Sequence, residues 1–470
     1  MKSFIMVSGG NIVRQLLTFF AQIYIVKKLG VHAFGELTIA FSIYLVIAGI
    51  SDFGSRLYCW KEVLASDPDE RPLSAVREWM ARTALSVLFL LPILSGIALF
   101  FHGVMETLLL TYAMAIVANQ AAFDWFFLAQ DKMVSLFIFN AFSGVLYFLL
   151  LVALVRAEGD LQMVPIAFIV SYVLPAAILM WKDLWKLGAQ YLSHPRKILE
   201  VLRAGARIPI RSRAYFLYDF LQRLYMTSIF IVAWKYYSKS MIGQFRVAHL
   251  IFTLAASMAT YLGVSLFNRV HEENVQGGSG SIIPFGIASI LLVILPFSIC
   301  GYGILAPIVK FLLDSQFNQG SLLILIAGLS LPALGNFIRE TAVAAGQPRI
   351  ATLSYLLTIG VTIGLIVAIH PSSLSFLAGS LLIGEGLGLI FLLAFLPIPL
   401  ISKVRFRTYW VGGLAGGVFL AIEEFISIIN HGTQWMARTM EMSLIILGLF
   451  IIYILKIRKI GGGFWIYDKI

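Results

Sequence analysis

Polar side chains recur at helical spacing within the first long apolar segment of this 470-residue chain. They stand at i, i+4, i+7 and i+11, with an arginine on their flank: Asn11, Gln15, Thr18, Gln22 and Arg14. This spacing places them on one face of an α-helix. An ionisable group inside an apolar helix is costly unless it faces water or a partner. The pattern therefore predicts a helix that turns a polar stripe toward a water-filled cavity.

A second polar stripe occurs in the second half of the chain, again inside an apolar segment. Its members follow the same helical spacing: Arg246, His249, Thr253, Ser257 and Thr260. Because each half supplies one stripe, the two together indicate a hydrophilic cavity between the halves. His249 fits a packed polar residue better than a proton relay.

Three arginines lie deep in their apolar segments, and we predict that they bind an anionic ligand. Arg14 and Arg223 lie near the middle of a segment, and Arg246 lies in the outer half of its own. A guanidinium stays charged and offers a planar fork of donors, which suits phosphate or pyrophosphate. Asp219 stands four residues before Arg223, where the two side chains can meet, so an ion pair is the alternative for Arg223.

Other ionisable residues fit an ion pair or ion coupling. Asp52 and Arg56 form a second acid–arginine pair at i, i+4. Several residues lie near predicted cytoplasmic helix ends, where snorkelling or an inter-helix ion pair satisfies them: Asp52, Arg56, Asp124, Arg339 and Glu340. Glu385 lies deep among glycines, and two interpretations stay open for it, a proton or cation site and a partner for an arginine.

Motifs for catalysis are missing from the sequence. No phosphate loop of the form G-x-x-x-x-G-K-[ST] occurs, so ATP hydrolysis lacks its usual motif. Neither metal-ligand spacing nor an accessible Ser/His/Asp or Cys/His grouping is found. We therefore predict no enzyme, no cofactor and no metal site. Energy for transport would come from an ion gradient, the membrane potential or removal of the substrate.

The composition indicates a membrane protein, with 60% hydrophobic and 13% charged residues. We predict an all-α polytopic fold with about fourteen transmembrane helices. The spans are expected near residues 6–28, 35–59, 78–101, 106–129, 134–155, 163–184, 212–234, 241–267, 281–306, 320–344, 350–369, 374–397, 409–430 and 440–457. No exposed basic domain accompanies the net charge of +11, so no nucleic-acid partner is predicted. Of the 35 Lys and Arg, 23 fall toward the side of the termini, which predicts that both termini are cytoplasmic.

The two halves of the chain resemble each other. Residues 34–40 (FGELTIA) parallel 242–248 (IGQFRVA), and residues 129–132 (AQDK) parallel 346–349 (GQPR). Both pairs lie six predicted spans apart, which indicates an internal duplication. The predicted division is an N-terminal lobe (1–184), a cytoplasmic amphipathic linker (185–211), a C-terminal lobe (212–397), and two added helices with a tail (398–470).

Short motifs in the first two predicted spans resemble a known family. They are Gly10-Asn11, Lys28-Leu29-Gly30, Phe34-Gly35 and Ser51-Asp52-Phe53-Gly54. They are similar to the opening helices of the O-antigen and polysaccharide flippases (Wzx type) of the multidrug/oligosaccharidyl-lipid/polysaccharide exporter superfamily. The resemblance continues through residues 243–248 and 345–347.

The resemblance implies two pseudo-symmetric six-helix lobes that form a V, plus two C-terminal helices. It implies a flippase in the bacterial inner membrane that moves an undecaprenyl-pyrophosphate-linked oligosaccharide to the periplasmic leaflet. In the related lipid II flippases, arginines in spans one, two and eight matter for substrate, and the matching residues here are Arg14, Arg56 and Arg246. Membrane lipids, a polysaccharide polymerase and a chain-length regulator are the expected partners of a monomeric chain.

Two other functions are compatible with the superfamily, a cation-coupled multidrug exporter and a lipid II flippase. The exporter would need deep acids in the first lobe, and Asp52 and Asp124 lie near its cytoplasmic face. A membrane glycosyltransferase or polymerase would need a large external loop with acidic residues. The predicted outward loops are too short for that third class.

Overall fold

The computed structural model describes residues 2–67, 69–120, 132–183, 195–254, 319–369 and 373–395, together with residues 125, 127, 257, 287, 290 and 294. Most of the predicted span 281–306 lies outside the described residues, as do the spans 409–430 and 440–457. Asp124 lies outside them too.

The described chain is nearly all helical and contains no strand. Its helices are α1 (Lys2–Asp52), α2 (Ser55–Ala65), α3 (Arg71–Phe100), α4 (Val104–Gln120), α5 (Met133–Leu154), α6 (Met163–Asp183), α7 (Pro195–Arg211), α8 (Arg213–Ala233), α9 (239–254), α10 (Gln319–Ala327), α11 (Ser330–Ala344), α12 (Pro348–Ile369) and α13 (Leu374–Phe395). Among the described residues, six helices are long and apolar enough to cross a membrane. The helices α10 and α11, bent by 46°, form a seventh if they are one span.

The first helix contains two arms that join at Gly30. Gly30 has φ 80° and ψ 165°, a backbone conformation that favours glycine. Arg14 of the first arm hydrogen-bonds Tyr172 of α6, and the ring of Phe41 in the second arm lies 5.8 Å from that of Phe168, one helical turn away from Tyr172. A straight helix would hold residues 14 and 41 about 40 Å apart. The chain therefore folds back at Gly30, and the two arms lie beside each other at the positions of the predicted spans 6–28 and 35–59.

The second arm ends earlier than the sequence predicts. Helix α1 stops at Asp52, and Phe53 and Gly54 adopt positive φ values of 52° and 67° before α2 begins at Ser55. A side chain at position 54 would clash with the backbone of Phe216, since a Cβ there would lie 2.5 Å from its amide nitrogen. The predicted span 35–59 thus combined the end of α1 with the start of a separate helix.

A helix occupies the described part of the predicted linker 185–211. One face of α7 packs on α3, where Gly205 allows close approach because a Cβ there would lie 2.9 Å from the carbonyl oxygen of Ala81. Another face exposes Leu199 and Leu202. The position of this helix at the membrane surface stays a prediction.

A short 3-10 turn (Glu158–Gln162) connects α5 to α6. The carboxylate of Asp160 accepts hydrogen bonds from the backbone N–H groups of Arg156 at 2.8 Å and of Ala157 at 2.9 Å. These bonds hold the pKa of Asp160 below its usual value, because they favour the charged form. The turn brings α6 back beside α5, where it contributes to the cavity described next.

Candidate transport cavity

A cavity of about 320 Å³ lies between helices of the first half and α9 of the second half. Both arms of α1 line it, together with α4, α5, α6 and α9. Met226 of α8 and Ser257 contribute one residue each. Seven residues of the two predicted polar stripes line it: Arg14, Gln15, Thr18, Gln22, Arg246, Thr253 and Ser257. The two polar stripes therefore face the same space, and Gln15 and Ser257 hydrogen-bond across it.

Arg14 is held by residues of the first half. Its Nη1 donates to the hydroxyl of Tyr172 at 3.2 Å, and its guanidinium lies 5.8 Å from the centre of that ring. Gly144 of α5 lets the two helices meet, since a Cβ there would lie 2.8 Å from the Cα of Arg14. Because Gly144 has no side chain, α5 packs directly against the backbone of α1 at Arg14. Asn11, on the same stripe, is buried and does not line the cavity.

Arg246 is positioned by neighbours on α8 and α9. Its Nη1 lies 3.2 Å from Nδ1 of His249, and its guanidinium lies 5.3 Å from the ring centre of Phe230. A guanidinium can only donate, so Nδ1 accepts and the imidazole proton resides on Nε2. His249 is buried and does not line the cavity, although its stripe is predicted to face it. Within the described chain, no carboxylate pairs with Arg246.

Arg223 lies outside the cavity lining and belongs to an ion-pair cluster. The cluster consists of Asp52, Arg82, Asp219 and Arg223. Arg223 donates from Nε to Asp219 at 2.9 Å and from Nη2 to Asp52 at 3.0 Å. Asp52 also accepts from Nη2 of Arg82 at 2.9 Å. The cluster therefore joins α1 and α3 of the first half to α8 of the second half.

Arg82 is the member of the ion-pair cluster that the sequence pattern does not single out. Its place near the start of the predicted span 78–101 favours a cytoplasmic positive charge, yet it is buried and its Nε donates to Ser55 at 2.8 Å. A helical residue that is charged within an apolar span, like Arg82 in the predicted span 78–101, is the signal that could have found it. The helix break after Asp52 removes the continuous helical geometry that the i, i+4 spacing of Asp52 and Arg56 assumes.

Glu340 and Arg56 lie near the same end of the molecule as the ion-pair cluster. Oε1 of Glu340 accepts hydrogen bonds from the hydroxyl of Tyr218 at 3.1 Å and from Nε2 of Gln222 at 3.0 Å. Arg56 is close enough to Asp219 and Glu340 to act on both electrostatically. Glu340 is thus a hydrogen-bonded group between α8 and α11.

Glu385 pairs with Arg339, so the structure favours one of its two predicted roles. Nη2 of Arg339 lies 3.2 Å from Oε2 of Glu385, and both side chains are fully buried. Three neighbouring oxygens accept the remaining donors of Arg339, each at 3.1 Å: Ser354, Thr358 and Asn336. The ring of Tyr355 stacks 4.3 Å from the guanidinium. The pair is a buried link among α11, α12 and α13.

Two glycines meet where the second arm of α1 crosses α9, and we call this contact the glycine crossing. A Cβ on Gly35 would clash with the carbonyl of Lys239, and a Cβ on Gly243 would clash with the carbonyl of Val31. Each glycine thus faces the residue four positions before the other. Lys239 also forms an ion pair with Glu36. Residues 35 and 243 are the equivalent positions of the repeat found in the sequence.

Among the described residues, no group of His, Cys, Asp and Glu is suited to hold a metal ion. The charged groups that do cluster are acids with arginines, which neutralise each other rather than leave a site for a cation. The lining of the cavity, as far as the structure describes it, carries only the two positive charges of Arg14 and Arg246.

Solved structures of transporters share this fold. Neither a protein-family model nor a curated protein matches the chain. A lipid II flippase, MurJ, in an inward closed conformation matches with a TM-score of 0.63 and 13% identity, covering 97% of this chain and 99% of that one. An inward-facing multidrug resistance MATE family transporter of the MOP superfamily matches with a TM-score of 0.59 and 13% identity over 86% and 96% of the chains. The multidrug transporter DinF-BH matches with a TM-score of 0.59 and 16% identity over 84% and 94%. The chain is therefore a multi-pass membrane protein with the fold of flippases and MOP-superfamily transporters.

Proposed function

We propose that the chain is a flippase for an undecaprenyl-pyrophosphate-linked oligosaccharide, such as an O-antigen repeat unit, in the bacterial inner membrane. The observation that carries this proposal is the cavity with one arginine from each half, Arg14 and Arg246, and no carboxylate among its described lining residues. A cavity with two guanidinium groups and no described carboxylate favours an anion. Pyrophosphate offers enough oxygens for both forks.

Alternating access would use two contacts that close the cavity, the ion-pair cluster and the glycine crossing. They lie at opposite ends of the second arm of α1. Gly35 and Asp52 stand about 26 Å apart along that helix, close to the ~30 Å thickness of a bilayer core. The predicted orientation places the ion-pair cluster at the cytoplasmic side and the glycine crossing at the periplasmic side. Arg223 is predicted to bind substrate. When the cytoplasmic side opens, its ion pair with Asp52 would break and its guanidinium would bind the pyrophosphate. Arg56 would stand at that entrance.

The proposed architecture has fourteen spans, two six-helix lobes (1–184 and 212–397) that form a V, and two further helices within 398–470. Both termini are placed in the cytoplasm. The chain works as a monomer among membrane lipids and delivers its cargo to a polysaccharide polymerase and a chain-length regulator. Without a phosphate loop, transport draws on an ion gradient, the membrane potential or removal of the product.

The fold is equally compatible with a lipid II flippase and with a multidrug exporter, so the substrate must separate them. Lipid II also carries a pyrophosphate, and its flippase would use the same two arginines. A cationic drug would favour carboxylates, and none is found among the described residues that line the cavity. The cavity charge therefore supports either lipid-linked substrate over the drug.

Depletion of the protein in its own host is expected to remove surface polysaccharide and to leave the finished lipid-linked oligosaccharide in the inner leaflet of the inner membrane. Surface polysaccharide is measured on gels of cell extracts, and the lipid is measured by mass spectrometry and by its protection from an impermeant sugar-oxidising reagent. Accumulation of lipid II with lysis would instead assign a lipid II flippase. Sensitivity to cationic dyes with normal polysaccharide would assign a drug exporter.

Substitution of Gly243 by leucine is expected to hold the periplasmic side open. The added side chain must displace the backbone at Val31, which costs enough to shift the population of the closed state by about tenfold. Thr38 lines the cavity, so a cysteine there reports its access. In a background of Cys59→Ala and Cys300→Ser, Thr38→Cys should react faster with an impermeant maleimide added to intact cells.

The matched control is Gly360→Leu, because a Cβ at Gly360 meets no neighbouring atom within 4 Å. It should leave the labelling rate at position 38 unchanged. Equal labelling of the Gly243→Leu protein and the control would show that the glycine crossing does not close the cavity.

A further inference from the structure

One side of the cavity is an aromatic wall built by four helices of the first half. The wall consists of Phe41 of α1, Tyr112 of α4, Tyr147 of α5, and Phe168 and Tyr172 of α6. Phe168 stands at its centre, with its ring 5.8 Å from Phe41, 6.3 Å from Tyr147 and 4.9 Å from Tyr172. All five line the cavity, so the wall faces open space and is not an interior packing cluster alone.

Two hydroxyls of the aromatic wall have no partner in the described protein. Tyr112 and Tyr147 are only 3% and 7% exposed, yet neither hydroxyl forms a hydrogen bond within the described residues, and neither is sealed from the cavity. The hydroxyl of Tyr172, by contrast, accepts from Arg14. Burying a hydroxyl without a hydrogen bond is unfavourable. The two phenols therefore point to a ligand with polar groups in the cavity.

The aromatic wall also lies between the two arginines of the cavity. Arg14 rests near the ring of Tyr172, 5.8 Å from its centre, at one edge. At another edge, Tyr112 is close enough to Arg246 for the two to interact electrostatically. A ligand that fits this arrangement has an anionic group for the two arginines. Next to that group it has a ring, with an apolar face for the aromatic side chains and hydroxyl groups at its edge for the two phenols. A lipid tail has no hydroxyls for the phenols, and a planar cationic drug would be repelled by both guanidinium groups.

We propose that the aromatic wall is a subsite for a sugar ring joined to the phosphate held by Arg14 and Arg246. A pyranose stacks its C–H face on aromatic rings and directs its hydroxyl or acetamido groups outward, where the Tyr112 and Tyr147 hydroxyls can bond them. A cavity of about 320 Å³ is of the size that holds one small ligand group. This inference rests on the proposed function, since it assigns the sugar of the same substrate.

The test compares binding of two kinds of probe to the purified full-length protein. One is undecaprenyl pyrophosphate without sugar, and the other is a panel of undecaprenyl-pyrophosphoryl sugars with glucose, galactose, N-acetylglucosamine or N-acetylgalactosamine. Native mass spectrometry gives the affinity for each. We expect at least one sugar to strengthen binding about tenfold over the plain lipid, as two added hydrogen bonds would. The double variant Tyr112→Phe, Tyr147→Phe should lose that gain and bind the plain lipid unchanged.

Conservative phenylalanines keep the rings in place, and an unchanged melting temperature verifies the fold. Tyr24→Phe is the matched control, because its hydroxyl donates to the carbonyl of Val155 at 2.9 Å and does not line the cavity. A sugar gain that survives in the double variant overturns the subsite, as does a wild-type protein that binds the plain lipid but gains from no sugar. A wild-type protein that binds neither kind of probe overturns the proposed function itself.

Discussion

Replacement of Arg246 by alanine is expected to abolish surface polysaccharide while the amount of the protein in the membrane stays normal. Arg246 supplies one of the two charges of the described cavity lining and forms no ion pair with a described residue, so its loss costs little folding energy. Two charge-assisted hydrogen bonds to phosphate contribute about 1.5–3 kcal/mol each, which makes the loss of transport at least about 100-fold. Gels of surface polysaccharide and blots of membrane fractions measure both quantities.

Two further variants serve as comparisons for Arg246→Ala. Arg349→Ala removes an exposed arginine in the first turn of α12 and should complement fully. Arg246→Lys keeps the charge but loses the planar fork, so we expect partial activity. Full complementation by Arg246→Ala would refute the role of this residue in binding the substrate.

Replacement of Arg339 by leucine is expected to act on stability rather than on substrate binding. It leaves the Glu385 carboxylate fully buried without its ion-pair partner. Breaking a buried pair on one side costs about 3–5 kcal/mol, a large share of the roughly 5–15 kcal/mol that stabilises a typical folded domain. We expect a lower melting temperature of the detergent-solubilised protein and less protein in the membrane, both measured with a fluorescent fusion.

The double variant Arg339→Leu, Glu385→Leu tests the reason for that loss. Replacing both members of a buried ion pair by apolar residues is often close to neutral, so the second substitution should recover much of the melting temperature. A double variant as unstable as the single one would show that the hydrogen bonds of Arg339 to Ser354, Thr358 and Asn336 matter more than its pairing with Glu385.

Sequence periodicity acts within one helix, so it groups residues that face the same space. Gln15 and Arg14 share a region of the first arm, and Arg246 and Thr253 share a face of α9, so spacing alone placed them toward a common space. The same stripe included Asn11, which is buried elsewhere, because a stripe as long as a span reaches beyond the cavity.

Pairings between distant helices could not be predicted in this way. Asp52 forms ion pairs with Arg82 and Arg223, which lie on two other helices. The i, i+4 spacing rule, which acts within one helix, pointed only to Arg56. The break at Phe53 and Gly54 removed the helical geometry on which that rule depends. Likewise, Glu385 alone could not reveal that Arg339 would reach it, because the approach of α11 to α13 is set by packing along their whole length.

The glycine crossing has a reciprocal geometry with a historical consequence. Gly35 faces the residue four positions before Gly243, and Gly243 faces the residue four positions before Gly35. Two identical subunits related by a two-fold axis make contacts of this kind, because the same patch serves both partners. If the two halves arose by duplication, as the sequence repeat predicts, a half-length ancestor that paired with itself would have used one glycine on both sides of this contact. Fusion of two copies would then place a homodimer-like interface inside one polypeptide, with its two glycines at separate positions.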